Sequence, residues 1–192
     1  MTESKSYTAV AIALHWVIAI MLVGMVFFGW SMEDLKHQAL EEGTATLAEV
    51  QMAYNSHKTI GLIILALSFL RLGWRMMHKT PGLPDGMAGW EKAVAHATHF
   101  TFYAIMIGMP LGGMIAASAS PLPSFLFNDP SLVIPKLPVP QTESFAGLAG
   151  SVHGGGGWVI LILAGLHAAA AVKHQFIDKD GLLGRMIPFL KG

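Results

Sequence analysis

Four histidines lie in or beside the apolar segments of this chain: His15, His57, His153 and His167. Ionisable side chains are costly at membrane depth and are usually functional there. An α-helix rises about 1.5 Å and turns about 100° per residue, so His153 and His167 fall on nearly one face, roughly 21 Å apart. One membrane-spanning helix therefore offers a metal ligand near each of its ends.

The other two histidines lie near opposite ends of their own segments. His15 follows the start of the first apolar segment, and His57 opens the second. In a bundle of antiparallel helices, each of them meets one histidine of the last helix at its own depth. The spacing predicts two bis-histidine metal sites, His15 with His167 and His57 with His153.

The number of ligands at each site indicates the kind of metal. Imidazole binds zinc, copper and haem iron, but a structural zinc ion normally takes four protein ligands. Two histidines match the axial positions of a porphyrin. The chain has no cysteine, so a covalent CxxCH attachment is excluded and the haem would be a non-covalent b haem. An iron with both axial positions filled favours one-electron transfer.

Composition indicates an integral membrane protein, because 53% of the residues are hydrophobic and only 12% are charged. A bilayer crossing needs about 20 mostly apolar residues. Four segments qualify, at residues 8–30, 57–77, 93–117 and 152–174. The second is long enough only if Arg71 and Arg75 extend to the interface. We expect one all-α domain over residues 1–192, an integral membrane four-helix bundle.

Basic residues predict the orientation, because Lys and Arg accumulate in cytoplasmic loops. Three lie on one side of a four-helix model: Lys36, Lys58 and Lys136. Nine lie on the other side: Lys5, Arg71, Arg75, Lys79, Lys92, Lys173, Lys179, Arg185 and Lys191. This distribution predicts cytoplasmic termini, with His15 and His167 in the cytoplasmic half. The charge pattern does not suggest nucleic-acid binding.

Two loops are then expected on the outer side. Residues 31–56 are rich in Glu and Ala, a composition that favours a short surface helix. Residues 118–151 contain six prolines and cannot form a regular helix throughout. We expect this second loop to cap the outer surface.

His96 and His99 compete for the inner metal site, because they open the third helix on the cytoplasmic side. Either is an alternative to His15 as a ligand. The other interpretation is that they hydrogen-bond a haem propionate or interfacial water. His37 and His78 lie in loops or at the interface and receive no role.

Several motifs resemble the bacterial cytochrome b561 family over nearly the whole chain. They are ALHW at residues 13–16, HKTIG at 57–61, HATHF at 96–100, GLHAAAAVKH at 165–174 and DKDGLLGRMIP at 178–188. The resemblance implies a multi-pass bundle in the bacterial inner membrane that holds two b haems. The implied ligands are His15, His57, His153 and His167, the same four that depth selects.

The chain departs from the family pattern directly after His153, where residues 154–157 are all glycine. Each glycine inside a helix costs about 1 kcal/mol relative to alanine. We therefore expect the fourth helix to start late or to be irregular near His153.

The resemblance also implies a reaction, the transfer of electrons from superoxide at the outer face to ubiquinone. Superoxide is a small anion, so a positive side chain would speed its capture. Lys58, beside His57, is the candidate on an otherwise acidic face. Alternatively, Lys58 pairs with a haem propionate or marks the interface.

Quinone reduction on the inner side needs a proton donor. His174 lies two turns beyond His167 on the same face, and a histidine exchanges protons near neutral pH. Arg71, Arg75 and Lys79 are candidates to neutralise propionates or bind the quinone head. Their place on the cytoplasmic side also explains them without any site.

Two other classes of function are compatible with the sequence. Similar bundles serve as haem b membrane anchors that relay electrons between a partner dehydrogenase or hydrogenase and the quinone pool. A haem-free helical scaffold or transporter subunit is the third hypothesis. The first two predict a redox partner, protein or quinone, and all three predict lipid contact.

Overall fold

A computed structural model describes residues 6–190 of the chain as four long helices with short connecting segments. The helices are α1 (Ala9–His37), α2 (Leu47–Met77), α3 (Gly89–Ala119) and α4 (Glu143–Lys173). All four are long and apolar enough to cross a bilayer. The predicted all-α membrane four-helix bundle is confirmed.

The four helices form a closed ring, in which α1 contacts α2 and α4, and α3 contacts the same two. Apolar side chains from all four helices fill the centre: Ile18, Leu22, Val26, Ile64, Met106 and Ile160. Large apolar residues such as Phe100 and Leu166 face outward, as expected where lipid covers the surface. We name the two ends of the bundle by their histidines, the His15/His167 end and the His57/His153 end.

The helices are longer than the apolar segments that predicted them. Helix α2 begins at Leu47, where the Thr46 hydroxyl and the Glu49 carboxylate form a capping box. Helix α1 continues to His37 and into a π-helical segment, Gln38–Glu42. The prediction of a separate short surface helix in residues 31–56 was wrong, because most of these residues extend α1 and α2.

The connection between α3 and α4 is irregular from Ser120 to Thr142 apart from one 3₁₀ turn, as its prolines predicted. Two buried side chains of α2 hold it in place. The Asn55 Oδ1 accepts a hydrogen bond from the Phe125 N–H at 3.1 Å, and the Thr59 Oγ1 accepts one from the Phe127 N–H at 3.0 Å. This proline-rich loop therefore covers the His57/His153 end.

Helix α4 runs without interruption through residues 154–157, so the prediction that it starts late or becomes irregular there was wrong. Close helix packing explains the continuity. A Cβ atom at Gly157 would lie 3.2 Å from the Val26 Cγ1 of α1, and one at Gly156 would collide with Met109 of α3. Gly156 and Gly157 thus let three helices approach closely, which offsets their low helix propensity.

The chain after α4 folds back across the His15/His167 end. A π-helical segment, His174–Asp178, leads into the 3₁₀ turn Leu183–Arg185. The Trp16 indole donates a hydrogen bond to the Met186 carbonyl at 3.0 Å, and Arg185 donates to the carbonyl of Gly82. This segment therefore ties α1 to the α2–α3 loop. Lys5 and Lys191, counted in the charge distribution, lie outside the described residues.

Candidate metal centres

His57 of α2 and His153 of α4 face each other near one end of the bundle. Their ring centroids are 6.0 Å apart, with the ring planes at 82°. The Nδ1 atoms of both rings are buried and have no hydrogen-bond partner among the described residues. A buried polar atom without a partner is costly and calls for an explanation.

A metal ion bound between the two rings would account for this arrangement. Bonds from a metal to imidazole nitrogen are about 2.0 Å long, so two imidazoles on opposite sides of one metal have centroids roughly 6 Å apart. The His57/His153 pair matches that spacing. Zinc would need further ligands, whereas a porphyrin supplies its own four nitrogens, so the pair fits an axially ligated haem.

Two glycines lie beside these rings, and one of them, Gly113, makes room for His153. A Cβ atom at Gly113 of α3 would lie 2.9 Å from the His153 Cε1, a distance that real side chains do not show. A Cβ atom at Gly29 of α1 would lie 3.5 Å from the His57 Cε1. Gly113 did not emerge from the sequence, because its partner lies on another helix.

The second pair lies at the other end of the bundle. The ring centroids of His15 and His167 are 6.3 Å apart, with the planes at 62°. The His167 ring also contacts Phe102 at 5.3 Å between centroids. By spacing, this pair fits a metal as well as the first pair does.

His99 of α3 is a competing partner for His167, with ring centroids 5.9 Å apart and planes at 66°. The distances therefore leave both His15 and His99 as ligands opposite His167. His96 lies one turn earlier and lines a cavity together with His99.

Arg71 contacts the His15 ring directly. Its guanidinium donates to the Ala11 carbonyl at 2.9 Å and lies 3.3 Å from the His15 Nδ1. Because arginine only donates, the Nδ1 accepts, and a neutral His15 carries its proton on Nε2. Coordination of a metal through Nε2 would therefore require Arg71 to release this ring.

A basic cavity of about 350 Å³ opens beside the second pair. Its lining includes Tyr7, Arg75, Lys92, His96 and His99. The Arg75 guanidinium also lies 5.7 Å from the centre of the Tyr103 ring, within cation–π range. This concentration of positive groups suits an anionic or carbonyl-bearing ligand.

Lys58 lies against the proline-rich loop. Its ammonium donates a hydrogen bond to the Ser124 Oγ at 2.7 Å, and Ser124 is buried. Lys136 donates to the Ser120 carbonyl at 2.5 Å. Both lysines are thus held by the loop that covers the His57/His153 end.

His174 lies in a cluster of charged residues at the end of α4. Its Nδ1 is 2.7 Å from an Asp180 oxygen and 3.0 Å from an Asp178 oxygen. The Lys173 ammonium bridges Asp178 at 2.6 Å and Glu91 of α3 at 2.9 Å. Sequence reasoning found His174 but missed its carboxylate partners, although Asp-Lys-Asp-Gly is a typical turn sequence.

Comparison with known proteins covers almost the whole chain. The family model described as prokaryotic cytochrome b561 matches residues 6–189. The protein named cytochrome b561 homolog 2, from Escherichia coli (strain K12), is 28% identical over 95% of this chain and 92% of its own length.

Two further relatives match over nearly their full length. Cytochrome b562 from Cereibacter sphaeroides is 27% identical over 97% of this chain and 98% of its own length. A Yersinia pestis protein named "Probable superoxide oxidase CybB" is 25% identical over 98% of this chain and 99% of its own length. The similarity thus extends over all four helices and both histidine pairs.

Proposed function

Because this chain belongs to the prokaryotic cytochrome b561 family of membrane haem proteins, we propose that it transfers electrons from superoxide to ubiquinone through two b haems. The observation that carries the proposal is the presence of two facing histidine pairs, with centroids 6.0 and 6.3 Å apart, at opposite ends of one bundle. The name of the Yersinia pestis relative supports superoxide as the donor.

The four histidines hold the cofactors in this proposal. His57 and His153 would bind one haem, and His15 and His167 the other, and Arg71 and Arg75 are the proposed partners of haem carboxylates. A haem held by two of these histidines would supply one-electron transfer.

The His57/His153 end is the proposed site of superoxide oxidation. Two superoxide anions each give up one electron and leave as two molecules of oxygen. The ammonium groups of Lys58 and Lys136 attract the anion to this end. Glu33 lies at the same end of α1 and is bonded to Lys36 at 2.9 Å, which reduces its opposing charge.

The His15/His167 end is the proposed site of quinone reduction. A quinone takes up two electrons and two protons to become a quinol, and the electrons balance those lost by two superoxide anions. His174 supplies the protons in this proposal because its imidazole holds a proton on one nitrogen and can accept another on the second. The basic cavity beside His96 and His99 has room for a polar head group.

The distribution of basic residues supports an orientation of the bundle in the membrane. The bundle end with His15 and His167 carries most Lys and Arg residues, so we place it on the cytoplasmic side of the inner membrane. Superoxide is then consumed at the outer face, and the protons for the quinol come from the cytoplasm.

A purified, haem-replete preparation tests the proposal. We expect it to reduce a soluble ubiquinone analogue only when superoxide is generated in the same solution, and superoxide dismutase should abolish the signal. His57→Ala should lose the activity together with one haem. A preparation that carries haem and yet reduces no quinone would refute the proposal.

A second function is favoured by the proline-rich loop, which exposes apolar side chains outside the four helices. Phe127 and Val133 are both more than half exposed. Such residues suit a protein partner, as expected of a haem b anchor subunit for a dehydrogenase. Purification under mild detergent tests this: a stoichiometric dehydrogenase subunit would favour the anchor, and a lone chain with quinone reductase activity would exclude it.

A further inference from the structure

Asp180 makes the shortest contact of the His174 ring, with 2.7 Å between its Oδ2 and the His174 Nδ1. Its other oxygen, Oδ1, accepts a hydrogen bond from the Leu182 N–H at 3.0 Å. The two oxygens therefore have different partners, and the carboxylate cannot rotate without losing both. The side chains of His174 and Asp180 are only 12% and 17% exposed.

The backbone around Asp180 is shaped to bring this carboxylate back to His174. Lys179 and Gly181, on either side, both have left-handed φ angles, of 54° and 70°. The Asp180 N–H also donates to the His174 carbonyl at 3.2 Å. A left-handed lysine is uncommon and persists where surrounding contacts hold it.

The contact determines which imidazole nitrogen carries the proton. A carboxylate only accepts hydrogen bonds, so the His174 Nδ1 must be the donor to Asp180. In the neutral ring, the Nε2 then has a free lone pair, and it is the nitrogen that takes up and releases a proton.

We propose that Asp180 is a positioning residue for quinone reduction, which holds the His174 ring with Nδ1 protonated and Nε2 available to pass protons to the substrate. This inference rests on the proposed function of His174. In each step, Nε2 gives one proton to a quinone oxygen and regains one from the cytoplasm, while the Nδ1 proton stays with Asp180.

The other charged groups near His174 do not replace Asp180. Asp178 lies at 3.0 Å from the same nitrogen, but its Oδ2 is also bonded to the Lys173 ammonium at 2.6 Å. Glu91 of α3 is bonded to Lys173 as well. Lys173 thus offsets part of the charge of these two carboxylates, whereas Asp180 makes the shorter contact with the ring nitrogen.

Asp180→Asn is the informative substitution. Its Oδ1 still accepts from the Leu182 N–H, so the amide NH₂ faces the His174 Nδ1. Because that group donates, it favours the tautomer with the proton on Nε2, which is the wrong one for the relay. We expect kcat for quinone reduction to fall roughly tenfold or more, with KM for the quinone within about twofold of wild type.

Two variants serve as controls. Asp180→Glu keeps the carboxylate and should recover part of the lost kcat. Asp85→Asn makes the same chemical change in the α2–α3 loop at the same bundle end, and should behave as wild type. NMR of ¹⁵N-labelled histidine shows which nitrogen of His174 carries the proton, and the His174→Gln variant assigns the signal. This measurement does not depend on enzymatic activity.

The outcomes separate the two proposals. If Asp180→Asn keeps wild-type kcat, or leaves the His174 proton on Nδ1, Asp180 is not a positioning residue, and the superoxide-to-quinone proposal stands. If Asp180→Asn loses haem, the His174 tautomer is measured in Asp180→Glu instead. A proton on Nδ1 in that variant would support the inference, and a proton on Nε2 would overturn it. A wild-type chain that reduces no quinone removes both proposals.

Discussion

The buried Nδ1 atoms of His57 and His153 have no hydrogen-bond partner among the described residues, although α2 and α4 bring the two ring centroids within 6.0 Å of each other. The polypeptide alone leaves these atoms at an energetic disadvantage. A metal ion bound through these two nitrogens would remove it. The His57/His153 pair is therefore better explained as the protein ligands of one cofactor than as a packing contact.

Gly113 gives a direct test of that interpretation. In Gly113→Ala the new methyl group would meet the His153 ring, so the ring must shift and its ligand bond weakens. We expect the haem content per chain to fall from two to about one. A reduced-minus-oxidised spectrum with haem quantitation measures the change.

The neighbouring Gly112 provides the control for this substitution. A Cβ atom there meets nothing within 4 Å, so Gly112→Ala should keep full haem content. Equal haem content in both variants would mean that the position of the His153 ring does not matter for cofactor binding.

At the scale of elements, glycine in α4 has two different effects. A Cβ atom at Gly155 meets nothing within 4 Å, whereas one at Gly156 collides with Met109 of α3. The first glycine lowers helix stability without a packing benefit, and the second allows α3 and α4 to approach.

Alanine substitutions at these two adjacent glycines should therefore have different effects on the stability of the bundle. Gly155→Ala should stabilise the bundle by up to about 1 kcal/mol, because alanine is the better helix former. Gly156→Ala should be less stable than Gly155→Ala, since Met109 must leave its place between the helices. Thermal unfolding in detergent compares them, and a higher midpoint for Gly156→Ala would contradict this account of the helix contact.

The positions of the helices were predictable from the sequence where the helices are apolar, but their polar ends were not. Hydropathy marks the part of α2 that lies in lipid, but it ignores the polar turns that begin at Leu47. The signal for that start was present as Thr46 and Glu49, three residues apart. A local capping motif, rather than hydropathy, defines this boundary.

The site was readable from the sequence where its residues follow the period of one helix or lie at matched depths in two helices. His153 and His167 share a face of α4, so their spacing was readable from the sequence. Asp180 reaches His174 through a turn with two left-handed residues, and the approach of His99 to His167 depends on helix packing. The number of residues that separate each pair along the chain predicts neither of these contacts.

At the scale of the whole molecule, the bundle has a small apolar centre and a large apolar exterior. Residues such as Ile20 and Phe100 are more than two thirds exposed. Lipid must cover this surface, and the charged residues lie mainly beyond it. The two ends then face different compartments, which allows an electron donor on one side and a proton source on the other.

The orientation can be tested with single cysteines, because the chain contains none. Ser131→Cys lies in the proline-rich loop and Asp85→Cys in the α2–α3 loop, and both positions are exposed. A membrane-impermeant maleimide should label the first variant in intact cells, and the second only after lysis. The reverse pattern would place the His15/His167 end outside and contradict the proposed direction of transfer.

The most direct test of the central claim is the number of haems per chain in the wild type and in His15→Ala, His57→Ala, His153→Ala and His167→Ala. We predict two b haems in the wild type and the loss of one in each variant. The spectra should fall into two groups, His15 with His167 and His57 with His153, while His99→Ala keeps both haems. A single haem in the wild type, or a different grouping of the variants, would contradict the two-centre account.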